Sequence, residues 1–281
     1  MSSLKKNIVW LASYPKSGNT WVRIFLANYL NKTEQAVDVN NITVSTISSA
    51  RRDFDTFSGV LSSDLTADEI DLFRPDIYKN ISNNEENIVF IKTHDANHKN
   101  INNIPLFPEE VTLAVVHIVR NPLSVVPSYA NHFSLSIDET IKALNNKENK
   151  LSYSVKKLTK QIRQQLFSWS EHYKTWSQTK APYLLIRYED LKANPYETFK
   201  RLILFIYKEV DEEKLKKAIA FSDFKQLKSQ EKKSSFKEKP IKAKSFFRKG
   251  TVNAWKEELT EKQVQQIIKD HKKVMRDLNY L

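Results

Sequence analysis

Four short apolar runs, with little alternation between apolar and polar positions, lie along the first two thirds of the chain. Runs of this kind, rich in Val, Ile and Leu, are typical of strands that are covered on both faces of a parallel sheet. The predicted strands span residues 7–12, 87–91, 112–119 and 183–187.

Between these runs, apolar residues recur three or four positions apart, which is the spacing of an amphipathic helix. This spacing predicts helices over 20–30, 155–176, 195–207 and 260–275, and a further helix that carries Ser128. The alternation of strands and helices predicts an α/β fold, a single domain (1–281) with a central parallel sheet flanked by helices. The segments expected to be irregular are 44–63, 95–110 and 229–247.

Composition excludes several classes of protein. The 281 residues are 40% apolar and 28% charged, unlike a membrane protein or a disordered chain. The apolar run after Lys5 and Lys6 has only five residues, too few for the core of a signal peptide. The absence of cysteine excludes disulfides, thiolate metal sites and a cysteine nucleophile. We therefore expect a cytoplasmic protein without a membrane span.

Charge and glycine content both direct attention to particular segments. The net charge is +12, and residues 225–249 alone hold ten basic and two acidic residues, a net charge of +8. This local excess predicts a segment that faces an anion. The chain has only three glycines, Gly18, Gly59 and Gly250, so the backbone is expected to need each of them.

The segment 13–21, Ser-Tyr-Pro-Lys-Ser-Gly-Asn-Thr-Trp, lies between the first strand and the first helix. A strand–loop–helix with a glycine, hydroxyl groups and a lysine can bind phosphate with backbone N–H groups and the helix N-terminus. It is not a Walker A sequence, and an ordinary capped βα turn is the alternative. Trp21 is either a core aromatic or a platform beside a base. The candidate binding residues are Lys16, Ser17, Gly18, Asn19, Thr20 and Trp21.

A second candidate anion site follows the third strand. Arg120 lies just past its carboxyl end, and Ser128 lies eight residues further on. The guanidinium matches phosphate oxygens, although an arginine paired with a nearby carboxylate is the alternative. Two such sites at neighbouring strand ends favour a ligand with two separate phosphate groups.

The second strand ends beside a candidate general base. His94 follows Lys92 by two residues, and a histidine at a strand end is well placed to accept a proton. His98 and His132 are rival candidates. For the other histidines we expect a core position (His117) or a helix surface (His172 and His271).

These segments together resemble the cytosolic-type sulfotransferases, which use 3′-phosphoadenosine 5′-phosphosulfate (PAPS). Residues 14–21 are similar to the family's 5′-phosphosulfate loop, with Asn19 where many members have Thr. The other similar segments are 92–94 (catalytic base), 120–129 (3′-phosphate), 188–191 and 222–224 (adenine), and 246–256 (C-terminal phosphate-closing motif). The late Asn253-Ala254 departs from the family's usual Gly-Asp.

The resemblance implies a P-loop-like nucleotide-binding core and a metal-independent sulfuryl transfer to a hydroxyl group. It implies that His94 is the base, that Lys16 meets charge on the bridging oxygen and that Lys92 neutralises the sulfuryl oxygens. Thr20 and the N–H groups of 17–20 would bind the 5′-phosphate. The implied 3′-phosphate ligands are Arg120, Ser128, Arg248, Lys249 and Gly250. The implied adenine neighbours are Trp21, Tyr188, Ser222 and Phe224, and Phe247 is a cofactor-binding candidate in the phosphate-closing motif.

The acceptor is expected to be a small alcohol, apolar or aromatic in part. Phe54, Phe57, Tyr129 and Phe133 either line its pocket or belong to the core. The basic stretch 229–250 is either a mobile lid that orders on the nucleotide or a solvated run of charge. We expect no nucleic-acid partner. The alternatives are a P-loop kinase that uses ATP and Mg²⁺, and a module that binds nucleic acid or anionic surfaces through 225–249.

Overall fold

The computed structural model describes residues 5–31, 34–154, 157–239, 245–247 and 250–281. Within these ranges a central parallel sheet of five strands, in the order β2-β3-β1-β4-β7, is flanked by helices. The strands of this sheet are β1 (Ile8–Ser13), β2 (Ser45–Ile47), β3 (Val89–Thr93), β4 (Thr112–Val119) and β7 (Tyr183–Arg187). A separate antiparallel pair joins β5 (Lys150–Leu151) to β6 (Gln164–Gln165).

Helices separate most of the strands of the sheet, and among the described residues the last five helices follow β7. Their bounds are α1 (Asn19–Leu30), α2 (Arg51–Ser58), α3 (Ala67–Asn84), α4 (Pro122–Phe133), α5 (Ile137–Asn145), α6 (Trp169–Ser177), α7 (Tyr188–Ala193), α8 (Pro195–Tyr207), α9 (Glu212–Phe221), α10 (Phe224–Ser234) and α11 (Glu261–Asp277). The predicted α/β sheet is confirmed, and all four predicted strands are present with bounds within two residues. The predicted Asn194 cap is also confirmed, since its side chain accepts a hydrogen bond from Glu197 N.

The helix predicted over 155–176 is confirmed only in its last part, residues 169–176. Residues 155 and 156 lie outside the described residues, and α6 begins only at Trp169, where Ser168 caps it by accepting from Glu171 N. Upstream, tertiary backbone bonds hold the chain extended: Ile162 N donates to Ser49 O at 2.9 Å, and Gln165 N donates to Asp95 Oδ1 at 2.8 Å. Ile162 and Leu166 are therefore buried from an extended chain, whereas Leu158 is exposed.

Two of the three segments expected to be irregular contain regular structure. The stretch 44–63 holds β2, which pairs with β3, and α2, which ends at Gly59 in the left-handed conformation (φ +70°). The stretch 229–247 begins with the end of α10; its residues 240–244 lie outside the described residues. The irregular course of 95–110 is confirmed apart from a single bridge between Lys99 and Pro105.

The chain divides into two compact units, and whether they form the expected single domain stays a prediction. The first unit is Met1–Tyr14, Ser45–His117 and Asn146–Leu184. Its core contains Trp10, whose ring lies edge-on to Tyr78 at 4.9 Å and to Phe107 at 4.8 Å. The indole Nε1 of Trp10 donates to Thr112 Oγ1 at 2.9 Å, so this buried polar atom is satisfied.

The second unit is Pro15–Val44, Ile118–Asn145 and Leu185–Leu281. In its core the rings of Phe25 and Phe199 are stacked at 3.8 Å between centroids. A further cluster packs Leu227 of α10 with Ile24 of α1 and with Phe236 and Phe247. No helix among the described residues combines the length and the apolarity that a membrane crossing requires.

Candidate functional site

The loop that follows β1 has a backbone shape suited to anion binding. Lys16 (φ +71°) and Gly18 (φ +105°) both lie in the left-handed region, and Gly18 is the N-cap of α1 without a side chain to cap it. A helix N-terminus leaves its first N–H groups without intrahelical partners and carries a partial positive charge. Ser17 and Asn19 are buried beside it, and Thr20 is half-buried in the first turn.

Gly18 is required for two reasons. Its φ value is one that residues with a Cβ rarely adopt, and an added Cβ would lie 2.7 Å from Tyr188 Cδ2. The backbone therefore approaches the Tyr188 ring more closely than any other residue would allow. This explains why a chain with three glycines keeps one here.

Two buried polar atoms of the loop region lack partners in the part of the chain that the structure describes. Ser17 Oγ and Trp21 Nε1 are both buried, and neither makes a hydrogen bond there. Nearly all buried polar groups in native proteins are hydrogen-bonded, so each exception needs an explanation. A ligand with several acceptor oxygens, bound at the end of α1, would satisfy both.

Arg120 lies against this loop, as the sequence predicts. Its Nη1 donates to the carbonyl oxygen of Lys16 at 3.1 Å, and its guanidinium stacks on the Tyr188 ring at 4.3 Å. Burial raises the pKa of the Tyr188 hydroxyl, and the Arg120 charge offsets this only in part, so the phenol stays neutral. Ser128 lies half-buried on α4, two turns beyond the Asn121 N-cap.

The residues expected around adenine lie in the second unit, where Trp21 and Phe224 both lie near the Lys192 ammonium. The Lys192 ammonium lies 5.5 Å from the Trp21 ring centroid and 5.6 Å from that of Phe224. Phe224 packs edge-on to Phe247 at 6.2 Å. The Ser222 hydroxyl donates to Ala218 O at 2.8 Å and so terminates its own helix. That Trp21 and Phe224 sandwich a base stays a prediction.

Gly250 resembles Gly18 in its environment. It has φ +65°, and an added Cβ would lie 2.6 Å from the Phe224 ring. Arg248 and Lys249, which precede it, lie outside the described residues. The preceding Phe246 and Phe247 both donate their backbone N–H groups to the Glu231 carboxylate, at 2.6 and 3.0 Å.

In the first unit, β3 places Lys92 and His94 at its carboxyl end. Lys92 is buried and His94 is half-buried. His94 Nδ1 lies 2.7 Å from the carbonyl oxygen of Ser13, and since that oxygen only accepts, Nδ1 carries the proton. The opposite ring atom, Nε2, then has the lone pair that a general base uses.

A buried network holds the backbone around His94, and sequence reasoning missed it. His172 Nε2 donates to His94 O at 3.2 Å, and Trp176 Nε1 donates to Asp95 O at 2.9 Å. The Asp95 carboxylate accepts from Arg74 Nη2 at 2.8 Å. Burial raises the pKa of Asp95, but the charge of Arg74 and the hydrogen bonds to the carboxylate outweigh this and hold the pKa below its usual value. The only sequence signal was an aspartate directly after the candidate base.

The remaining histidines divide differently from the expectation. His117 is buried, as predicted, with Nδ1 2.8 Å from the Tyr183 hydroxyl. The surface positions predicted for His172 and His271 are wrong: both are buried, and burial lowers the pKa of each to about 4. Both residues lie on the buried faces of their helices. The spacing of apolar residues does not predict whether a histidine lies on the buried or the exposed face of a helix. The rival candidate His98 lies half-buried and donates from Nδ1 to Ala96 O at 2.9 Å.

The aromatics suggested for an acceptor pocket belong to different units. Phe54 and Phe57 line a cavity of about 30 Å³ in the first unit, together with Ile91 of β3. Tyr129 and Phe133 lie on α4 in the second unit, with their rings 4.3 Å apart. Their role toward an acceptor stays a prediction.

The basic stretch is partly built into the second unit. Phe236 is buried, and Glu238 accepts from the buried Arg23 at 2.7 Å. Several lysines of α10 face outward, among them Lys225, Lys232 and Lys233. Whether the stretch acts as a lid stays a prediction.

The sequence is similar to known sulfotransferases. A family model described as a sulfotransferase domain matches residues 6–279. The flavonol 3-sulfotransferase of Flaveria bidentis is 28% identical over 276 residues, which cover 94% of this chain and 80% of that protein. Sulfotransferase 1B1 of Mus musculus is also 28% identical, over 283 residues, with 94% of this chain and 81% of that protein covered.

Two solved structures share the fold. The mouse sulfotransferase SULT7A1 complexed with PAP superimposes with a TM-score of 0.63 at 18% identity, covering 98% of this chain and 86% of that one. Retinol dehydratase in a complex with retinol and PAP gives a TM-score of 0.64 at 18% identity, covering 98% and 82%.

Proposed function

We propose, since the chain belongs to the sulfotransferase family, that it is an enzyme that transfers a sulfuryl group from PAPS to a hydroxyl group of a small-molecule acceptor. Both curated relatives named above are sulfotransferases by name. The two structural neighbours were solved with PAP, the bisphosphate that PAPS leaves behind. The acceptors of the relatives differ, so the acceptor of this chain is proposed only as an alcohol.

The observation that carries the proposal is the phosphate loop of the second unit. Buried Ser17 Oγ and Trp21 Nε1, without partners among the described residues, lie at the uncapped end of α1. The Arg120 guanidinium brings a positive charge against the loop, and Lys16 carries a second one within it. These groups fit an anionic nucleotide, because its phosphate oxygens would supply the acceptors that the protein does not.

The nucleotide-binding roles follow the motifs. We assign the 5′-phosphate to Thr20 and to the N–H groups of residues 17–20. We assign the 3′-phosphate to Arg120 and Ser128, with Arg248, Lys249 and Gly250 completing that site. The adenine would lie near Trp21, Tyr188 and Phe224, beside Ser222, and Phe247 belongs to the phosphate-closing motif. The contacts of Arg120 with Lys16 O and Tyr188 support this assignment, because they join the two phosphate regions and the base region in one unit.

The tautomer of His94 supports its role as the base. With Nδ1–H donated to Ser13 O, Nε2 is the atom that would take the proton of the acceptor hydroxyl. The acceptor oxygen then forms its bond to sulfur as the bond from sulfur to the bridging phosphate oxygen breaks. Ser13 is three residues before Lys16 in the chain, so the strand that orients the base leads directly into the loop that receives the leaving group.

The two lysines would stabilise opposite sides of this transfer. Lys16 would meet the charge that grows on the bridging oxygen, and Lys92 would neutralise the sulfuryl oxygens. Positioned cations can carry this stabilisation, much as in phosphoryl transfer, so we propose that no metal ion is needed.

The proposal is tested by incubating the protein with PAPS and a panel of phenols and aliphatic alcohols. Release of 3′,5′-bisphosphoadenosine that depends on the acceptor is the expected result. A thermal shift panel separates the alternatives. A shift with ATP–Mg²⁺ and none with 3′,5′-bisphosphoadenosine would support a kinase. Polyanion binding that falls steeply with salt, with no response to the nucleotide, would support an anionic-surface module.

A further inference from the structure

The Lys16 ammonium lies between two side chains to which the roles above give no function. Its Nζ is 3.4 Å from His132 Nδ1 and 4.0 Å from the centroid of the Phe246 ring. The two side chains also contact each other, with the His132 ring edge-on to Phe246 at 5.9 Å. All three residues belong to the second unit.

The backbone of Lys16 is held separately from its side chain. Its φ of +71° is uncommon for a residue with a Cβ, and its carbonyl accepts from Arg120 Nη1 at 3.1 Å. Four rotatable bonds still separate this fixed backbone from the ammonium. Contacts at the ammonium itself are therefore what determine where the charge lies.

The Phe246 ring is itself fixed in place. The Glu231 carboxylate, on α10, accepts the N–H groups of Phe246 and Phe247 at 2.6 and 3.0 Å. Glu231 is buried, and the Phe236 ring packs against Phe246 at 4.7 Å. A carboxylate that binds two successive backbone N–H groups leaves the turn little freedom, so Phe246 offers Lys16 a rigid aromatic face.

We propose that His132 and Phe246 are positioning residues for Lys16, which they hold where the bridging oxygen of the leaving nucleotide develops its charge. An ammonium group only donates, so His132 Nδ1 is the acceptor and the proton of the neutral ring is on Nε2. His132 is thereby distinguished from a base: it contacts the lysine and takes no proton from the acceptor. This inference rests on the proposed function, because it takes the leaving-group role of Lys16 as given.

The test compares two replacements of His132. In His132→Ala the acceptor is lost, whereas in His132→Asn the amide oxygen can occupy the place of Nδ1 without acting as a base. We expect kcat to fall about tenfold in the alanine variant and to stay within about threefold of wild type in the asparagine variant. The dissociation constant of 3′,5′-bisphosphoadenosine should change by less than about threefold in both, since a positioning contact to Lys16 acts mainly on the transition state. His98→Ala removes a half-buried histidine of the first unit and should leave kcat unchanged.

Three results would overturn the inference. An unchanged kcat in His132→Ala would mean that the contact between His132 and Lys16 does not contribute to catalysis. A loss of about a hundredfold or more that asparagine does not restore would identify His132 as a base. If the melting temperature falls together with kcat in His132→Ala, the loss could reflect stability instead of positioning, and Phe246→Leu then separates the two. That variant keeps the apolar volume but removes the ring face, and an unchanged kcat there would overturn the inference. A wild-type protein that neither binds the bisphosphate nor transfers a sulfuryl group overturns the proposed function instead, before any variant is compared.

Discussion

The carboxylate cluster of Asp95 and Asp71 in the first unit and the phosphate loop of the second unit differ in how their buried polar atoms are satisfied. Around His94 in the first unit, both oxygens of Asp95 and both oxygens of Asp71 accept hydrogen bonds from protein groups, above all from Arg74 and Arg163. At the phosphate loop of the second unit, Ser17 Oγ and Trp21 Nε1 are buried without a partner among the described residues. In the first arrangement, protein groups alone satisfy both carboxylates. In the second, the proposed nucleotide would supply the missing acceptors.

The largest effect is expected at His94, the proposed base, whose backbone the Asp95 network holds. His94→Ala should lower kcat by about 10²–10⁴, the usual contribution of a positioned general base. Nucleotide affinity and melting temperature should change little, because the bonds that hold Asp95 and Arg74 do not involve the His94 ring. Steady-state kinetics with PAPS measures this. If His94→Ala keeps its activity, the base assignment is wrong, although family membership is unaffected.

The network beneath His94 should dominate the stability of the first unit. Asp95→Asn leaves the buried Arg74 with one carboxylate fewer, and breaking a buried ion pair costs about 3–5 kcal/mol of unfolding free energy. Urea denaturation measures the loss. Glu213→Gln removes the partner of Lys216 in an exposed pair and serves as control, with no change expected in the midpoint. Equal behaviour of the two variants would contradict a structural role for the network.

At the phosphate loop, the matching substitution should act on ligand binding and much less on stability. Arg120→Ala removes a charged contact to the 3′-phosphate and should weaken the binding of 3′,5′-bisphosphoadenosine by about 2–3 kcal/mol. Titration calorimetry measures this, with the acceptor KM expected to change far less. Arg187→Ala, which removes an arginine stacked on Tyr280 at 4.8 Å, is the control. An unchanged dissociation constant in Arg120→Ala would show that this arginine is structural.

A smaller effect concerns pH. Burial lowers the pKa of His172 and of His271 from 6.5 to about 4, so each unit contains a histidine that is neutral in the folded state. Between these pH values the unfolded chain binds more protons than the folded one, so stability should fall as the pH drops from about 6.5 toward 4. Urea midpoints at pH 7.5, 6 and 5 test this. Midpoints that do not fall would contradict the buried neutral state, and His271→Gln should reduce the slope.

The smallest effect expected is that of metal removal. If positioned cations alone neutralise the transferring group, a chelator should leave the rate of transfer within about twofold. A loss of activity that Mg²⁺ restores would require a different account of the charge at Lys16 and Lys92.

The sequence predicted elements well where local pattern and tertiary packing agree. The strand over 112–119 and the helix over 195–207 have the predicted bounds, because continuous apolar burial and a capped start are local signals. It failed over residues 157–168, where bonds to Ser49 and Asp95, both distant in sequence, hold the chain extended. Helix α3 was missed although Thr66 and Glu69 form a capping box that the sequence displays.

The candidate site divides in the same way. Arg120 and the loop from Lys16 to Trp21 could be predicted because each motif is short and local. The structure brings them together in the second unit. The contact of Lys16 with His132 joins residues 116 positions apart, and no pattern along the chain indicates it. The role of His172 beneath His94 was likewise beyond reach, since only the packing of α6 places it there.

The central claim is that the phosphate loop is completed by a nucleotide with phosphates at both the 5′ and the 3′ positions. Its most direct test is to compare the dissociation constants of 3′,5′-bisphosphoadenosine and 5′-AMP for the wild-type protein at fixed ionic strength. A charge-assisted phosphate contact contributes about 1.5–3 kcal/mol, so the bisphosphate should bind about tenfold to a hundredfold more tightly than AMP. Equal affinity for the two nucleotides would contradict the account.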